Sequence, residues 1–104
     1  IKKKLKIFIQ VNIGNEIQKN GIPVIDLPNF YNICTKELNL NIIGLMCLPP
    51  ANIDPSSYFT QMNLLANKLS LKELSMGMSS DYMNAIEKGA TFVRIGSKIF
   101  GSRN

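Results

Sequence analysis

The sequence predicts an α/β fold in which parallel strands alternate with helices in the order βαβαβαβ. Short, nearly continuous apolar runs recur along the 104 residues, a pattern typical of strands that are covered on both faces of a parallel sheet. The segments between them carry apolar residues at helical spacing or helix-capping residues, and such alternation gives parallel strands with right-handed crossovers. The four predicted strands are residues 5–12, 41–48, 73–76 and 92–95.

The first two helices are predicted from proline and from apolar spacing. One begins near Pro28, because proline suits the first helical turn, and runs to about Leu38. The second opens at Asp54-Pro55, with Asp54 as the N-cap and Pro55 at the first helical position. An apolar stripe at three- and four-residue spacing marks its buried face. The apolar residues of the first helix that fall roughly on one face are Phe30 or Tyr31, Ile33 or Cys34, and Leu38; the stripe of the second is Phe59, Met62, Leu65 and Leu69.

The third helix is predicted from its two ends. Ser80 or Asp81 is a natural N-cap, because a short side-chain oxygen can accept hydrogen bonds from the N–H groups of the first turn. The helix spans residues 82–88, and Gly89 supplies the left-handed position that ends it.

Two turns of small residues form the candidate ligand site, one after each of the last two strands. Ser79 and Ser97 offer hydroxyl donors to phosphate oxygens, and Gly96 lets the backbone approach an anion closely. Arg94 lies two residues before Gly96 and therefore on the same side of the strand. Because that strand is apolar, we expect it to be buried, so the Arg94 guanidinium needs an acceptor. From the residues alone, an ordinary helix cap at Ser79-Ser80-Asp81 and an ordinary turn at Gly96-Ser97 are the favoured explanation of these segments.

The positive charge of the chain does not predict a nucleic-acid partner. The formal net charge is +5, and four of the twelve Lys and Arg residues lie at positions 2, 3, 4 and 6. The other cations are scattered among acidic residues, without the interleaved aromatic residues on which bases stack. The apolar runs are also far shorter than the ~20 residues of a membrane-spanning helix, so we expect no membrane partner.

Histidine and cysteine usage excludes several kinds of chemistry. The chain has no histidine, and Cys34 and Cys47 do not form a C-x-x-C pair. Zinc sites of the usual Cys/His kind, Ser-His hydrolysis and Cys-His nucleophiles are therefore not expected. Two apparently unpaired cysteines and the lack of a signal peptide favour a reducing cytoplasm.

A set of motifs resembles the pyridoxal-phosphate homeostasis protein family, whose fold is similar to the N-terminal barrel of alanine racemase. The motifs occur in the family's order over nearly the whole chain. They are IQVN at 9–12, KNGI at 19–22, GLMC at 44–47 with Pro49, LSMGMS-x-D at 74–81, and A-I-x-x-G-A-T-x-V-R-I-G-x-x-I-F-G at 85–101. The resemblance implies that the strands are the last four of a (β/α)8 TIM-type barrel, a half-barrel fragment. Residues 1–104 would then be the C-terminal half of a barrel that binds pyridoxal 5′-phosphate (PLP). On periodicity alone, a small open doubly wound sheet is the alternative.

The resemblance also implies roles for the candidate residues. The phosphate of PLP would be held at Met78, Ser79, Gly96 and Ser97, in the turns after the seventh and eighth strands, where such barrels commonly bind phosphate. Arg94 would face the pyridine nitrogen and keep it unprotonated. The family's Schiff-base lysine is on the first barrel strand, which has no counterpart among these residues.

The expected function is that of a non-catalytic, cytoplasmic carrier that buffers PLP. Because the sequence begins at Ile1 and lacks the lysine strand, we expect a fragment that binds weakly, is aggregation-prone alone, and has the missing N-terminal half of the barrel as its partner. An amino-acid racemase of the alanine racemase type is the alternative. It also needs a tyrosine from an additional C-terminal β-domain, for which a chain ending at Asn104 leaves no room. A weaker third hypothesis is a barrel segment that binds another phosphate ester.

Overall fold

Four strands form one parallel sheet. They are β1 (Lys6–Asn12), β2 (Ile22–Pro23), β3 (Asn41–Met46) and β4 (Glu73–Ser75). The computed structural model describes residues 5–17 and 20–94. The strand order across the sheet is β2-β1-β3-β4, and every neighbouring pair is parallel. The predicted parallel α/β fold is therefore confirmed.

The helices occupy the three predicted connections. Helix α1 begins beside Pro28, as predicted, and a π-helical turn prolongs it. Helix α2 begins at Ser56, one residue after Pro55, which was predicted to be its first residue. The bounds are Leu27–Asn32 for α1, Ile33–Glu37 for the π-helical turn, Ser56–Lys68 for α2 and Tyr82–Glu87 for α3. Within the described residues, none of these helices has the length and apolar character needed to cross a membrane.

The buried core lies between the sheet and its helices. Ile9 pairs with Leu45, and Leu45 pairs with Leu74, so all three project from the same face of the sheet. They are buried together with Phe59 and Met62 of α2. The predicted stripe of α2 is confirmed, since its other two members, Leu65 and Leu69, pack against this core.

The buried face predicted for the first helix is only partly correct. Leu27 and Cys34 are buried and Tyr31 packs against the core, whereas Leu38 is 60% exposed and Phe30 is 38% exposed. The wide turn at Ile33–Glu37 changes the angular step per residue, so positions that share a face in a regular α-helix no longer do so.

The strands of the structure differ from the predicted strands in two places. The sequence did not predict β2, because two residues are too few to show a periodicity. The strand predicted at residues 92–95 appears as a single bridge between Ser75 and Phe92. Its backbone still follows β4, since Thr91 N donates to Leu74 O at 2.8 Å and Arg94 N to Gly77 O at 2.9 Å. Ile95 lies outside the described residues.

The sheet face opposite the core is concave. Gln10, Met46, Ser75 and Phe92 are register partners across the sheet and project to this face, as does Phe8 two residues before Gln10. The ring centroids of Phe8 and Phe92 are 5.3 Å apart, with the rings nearly perpendicular. Because β3 and β4 separate these residues and strands lie ~4.8 Å apart, the contact requires the sheet to curl toward this face.

Candidate ligand-binding cleft at the ends of β3 and β4

A cleft of about 640 Å³ opens at the carboxyl ends of β3 and β4. Parallel α/β folds bind their ligands at this end of the strands. One wall is the loop that follows β3, and the other is the turn that follows β4 together with Arg94. The lining residues are 48–53 (the 48–53 loop), Pro55, Met78, Ser80, Asp81 and Arg94.

The turn after β4, residues 78–81, is closed by two hydrogen bonds between its ends. Met78 N donates to Asp81 Oδ1 at 2.7 Å, and Asp81 N donates to Met78 O at 3.1 Å. Asp81 stands at the N-cap position of α3, but its side chain makes no capping hydrogen bond to that helix. The predicted capping role of the Asp81 side chain is therefore wrong: its carboxylate bonds back to Met78, and the Asp81 carbonyl accepts from Ala85 N at 3.1 Å to begin the helix.

Arg94 is held beside this turn by its backbone. The hydrogen bond from Arg94 N to Gly77 O at 2.9 Å fixes it next to the end of β4, and its side chain lines the cleft. The sequence predicted a buried guanidinium, and this expectation is wrong, because Arg94 is exposed. Water can therefore solvate the charge of Arg94.

The remaining predicted residues have different locations. Met78 lines the cleft. Ser79 is half-buried within the same turn, but its neighbour Ser80 is the serine that lines the cleft. Gly96 and Ser97 lie outside the described residues. The structure thus brings together one of the two predicted turns and Arg94.

The 48–53 loop is a wall of the cleft that sequence reasoning did not identify. Its second and third residues are Pro49 and Pro50, and Pro50 packs against Gly14 in the loop after β1. A Cβ added to Gly14 would lie 2.6 Å from Pro50 Cγ, so only glycine fits this approach. The sequence signal was present: two prolines directly after an apolar strand indicate a stiff loop at the ligand-binding end of the sheet.

The cleft combines opposite charges with apolar walls. Arg94 and Asp81 are its charged lining residues within the described part of the chain. Behind it, burial and then the Asp81 carboxylate raise the pKa of the Cys47 thiol to about 12, so this thiol stays protonated and is a poor nucleophile. Among residues 5–17 and 20–94, no group of His, Cys, Asp and Glu side chains is suited to hold a metal ion.

Comparisons with known proteins agree over the whole chain. The family model described as alanine racemase, N-terminal domain, matches residues 1–104. The chain is 38% identical over 106 residues to the pyridoxal phosphate homeostasis protein of Aquifex aeolicus (strain VF5), covering 93% of this chain and 46% of the relative. It is 36% identical over 115 residues to the human protein of the same name, covering 98% and 42%.

Two solved structures of one protein, PipY, have a fold similar to that of this chain. PipY of Synechococcus elongatus PCC7942 without PLP superposes with a TM-score of 0.81 at 30% identity, covering 95% of this chain and 51% of PipY. The structure of PipY with PLP bound gives a TM-score of 0.80 at 29% identity, covering 95% and 50%. The chain therefore spans about half the length of the proteins that it matches.

Proposed function

The chain belongs to the family of alanine racemase N-terminal domains, and from this membership we propose that it binds PLP and acts in PLP homeostasis as a non-catalytic carrier. Relatives named pyridoxal phosphate homeostasis proteins are 36% to 40% identical to it. PipY, which has a similar fold, has been solved with PLP bound. The two cysteines are buried free thiols, which fits a reducing cytoplasm.

One observation carries the proposed site: Met78 and Arg94, which come from neighbouring backbone segments, line the same cleft. In this proposal the 78–81 turn, with Ser79, and the following turn, with Gly96 and Ser97, hold the phosphate. Hydroxyl groups and turn N–H groups are suitable donors to a doubly charged ester.

Arg94 has a separate role in this proposal, at the pyridine nitrogen. A guanidinium donates hydrogen bonds and does not give up its proton in proteins, so Arg94 holds the nitrogen in its unprotonated form. The pyridine ring of bound PLP serves as an electron sink when its nitrogen is protonated. An arginine at this position therefore favours holding the cofactor over catalytic use of it.

We propose that β1, β3, β4 and the segment at Phe92 beside β4 are the last four strands of a (β/α)8 barrel. The curl of the sheet toward Phe8 and Phe92 supports this. So does the outer edge of β1: β2 pairs only with Val11 and Asn12 there, and an apolar groove of about 460 Å³ lies beside Ile7, Phe8 and Ile9. The N-terminal half of the barrel would add its strand at this edge and supply the Schiff-base lysine.

The proposed site is tested by PLP retention in the intact protein that carries this sequence. After reconstitution and dialysis, we expect a cofactor absorbance band that borohydride fixes to a lysine outside residues 1–104. Ser79→Ala and Arg94→Ala should each raise the Kd for PLP by about tenfold, because each removes a hydrogen bond to a charged or polar ligand group. Lys72→Ala is the matched control, since it removes a cation at the opposite end of β4. Retention of PLP by both site variants at the wild-type level would overturn the site.

Two results would reject the proposed carrier function. Racemisation of D,L-alanine by the intact protein at ordinary enzymatic rates would show that the protein is a racemase. Failure of the intact protein to bind PLP at all would favour the hypothesis that it binds another phosphate ester.

A further inference from the structure

The candidate cleft contains a carboxylate where an anion is proposed to bind. Asp81 is the acidic residue among the described lining residues, and it belongs to the turn that is proposed to hold phosphate. A carboxylate beside a phosphate dianion weakens binding through like-charge repulsion. Because this repulsion only weakens binding, an acidic residue at this position needs another role that favours binding.

The hydrogen bonds of Asp81 supply that second effect. Its Oδ1 accepts from Met78 N at 2.7 Å, a short distance typical of charge-assisted hydrogen bonds. With the bond from Asp81 N to Met78 O at 3.1 Å, it closes the turn from both directions. Ser79 and Ser80 lie between these two ends, so Asp81 fixes the backbone that carries both hydroxyls.

We infer that Asp81 is a positioning residue that sets the affinity of the cleft for phosphate esters: it orders the 78–81 turn through the Met78 amide, and its charge limits how tightly that turn holds an anion. The inference rests on the proposed function and describes the regulation of the same site. A carrier must release its cofactor, and a carboxylate in the binding turn raises the dissociation rate while the turn keeps its two serine hydroxyls.

Two substitutions at position 81 separate the two effects, because both remove the charge and only one of them removes the acceptor for Met78 N. Asp81→Asn keeps an acceptor for Met78 N and removes the charge, so the Kd for PLP should fall by about tenfold, less at high salt. Asp81→Ala removes the charge and the acceptor together, so the turn loses its order and the Kd should be about tenfold higher than that of Asp81→Asn.

The experiment titrates the intact protein with PLP at low and high salt and measures displacement by inorganic phosphate. Asp26→Asn is the matched control, since it makes the same chemical change at an exposed acid before α1, away from the cleft, and should leave the Kd unchanged. Asp81→Asn binding no more tightly than the wild type would overturn the limiting effect of the charge. Asp81→Ala binding as tightly as Asp81→Asn would overturn the positioning effect.

Amide hydrogen exchange needs no ligand, and it therefore distinguishes a failure of the proposed PLP-binding function from a failure of the positioning role of Asp81. Amide hydrogen exchange at Met78 should be slow in the wild type and in Asp81→Asn, and at least about tenfold faster in Asp81→Ala. If the wild type binds no PLP, the proposed function fails and the effect on affinity fails with it. Unchanged exchange at Met78 in Asp81→Ala would separately overturn the ordering of the turn, whether or not PLP binds.

Discussion

At the residue scale, the end of β3 shows how one neighbour controls the chemistry of another. Cys47 is 1% exposed, and burial together with the nearby Asp81 carboxylate raises the pKa of its thiol from 9.0 to about 12. Both causes act against the thiolate. Cys47 is therefore a small apolar core residue that lies behind the cleft, and it takes no part in nucleophilic chemistry.

The raised pKa of Cys47 predicts a loss of stability at alkaline pH. Above pH 9 the unfolded chain releases this proton, while the folded protein keeps it until about pH 12, so the free energy of unfolding falls as the pH rises through this window. At pH 10 the loss due to Cys47 is about 1.4 kcal/mol. Urea unfolding of the intact protein at pH 8 and pH 10 measures it.

Cys47→Ala is the control for this prediction, because Lys and Tyr residues also titrate at alkaline pH. Its free energy of unfolding should fall less than that of the wild type between pH 8 and pH 10. Equal pH dependence in the two proteins would contradict the prediction.

Gly14 carries the second prediction at this scale. Because an added Cβ would lie 2.6 Å from Pro50 Cγ and 2.8 Å from Pro50 Cδ, Gly14→Ala must displace the 48–53 loop. We expect a loss of about 1–3 kcal/mol in the free energy of unfolding, measured by urea denaturation. Pro50→Ala removes the clashing ring, so the double variant should lose less than the sum of the two single losses. Strict additivity would show that the two residues do not press on each other.

At the scale of elements, hydrogen bonds near both ends of α3 join it to α2. Near the first end, Asn84 Nδ2 donates to Ser56 Oγ at 2.8 Å, and Ser56 in turn donates to Asp54 Oδ1 at 2.8 Å. At the other end, Asn63 Nδ2 donates to Lys88 O at 2.9 Å. Since α2 follows the 48–53 loop and α3 follows the 78–81 turn, these bonds connect the supports of both walls.

Asn84→Ala tests this connection. It leaves Ser56 without the Asn84 donor and should reduce the free energy of unfolding by about 1 kcal/mol, measured by thermal or urea denaturation. It should also weaken PLP binding by the intact protein, because the two walls lose their common support. Gln61→Ala, at an exposed position of α2, is the control. An effect of Asn84→Ala no larger than that of Gln61→Ala would contradict the role assigned to the link.

At the scale of the whole molecule, the described residues leave apolar surface exposed at the edge of β1 and on the concave face. Among residues 5–17 and 20–94, the outer edge of β1 is paired only at Val11 and Asn12, and Phe30 beside the groove is 38% exposed. On the concave face Phe92 is 49% exposed although it contacts Phe8. Unpaired edges and apolar surface of this kind promote association with other chains.

We therefore predict that residues 1–104, expressed alone, self-associate through the β1 edge. Phe30→Lys places a charge beside the groove and should shift the sedimentation profile toward the monomer. Leu38→Lys is the matched control, because Leu38 is 60% exposed but does not line the groove. The same association constant for both variants in analytical ultracentrifugation would show that the edge is not the contact.

The sequence by itself determined the features that local chemistry controls. Apolar runs marked β1, β3 and β4, and the stripe from Phe59 to Leu69 marked the buried face of α2. Gly89, which ends α3 at a φ of +106°, was predictable because a left-handed position favours glycine. The motif resemblance gave the family for the same reason, since it depends on residues at fixed spacing.

Only the tertiary structure decided which distant residues meet. The pairing of β2 with β1, the contact of Phe8 with Phe92 and the packing of Gly14 against Pro50 depend on how the elements assemble, which periodicity does not encode. Asp81 shows the same limit at one side chain. Its type and position suit a helix cap, but its carboxylate bonds to Met78, because the path of the chain out of β4 brings that amide within reach. Local preference fixes the elements, whereas the geometry of their assembly fixes the site.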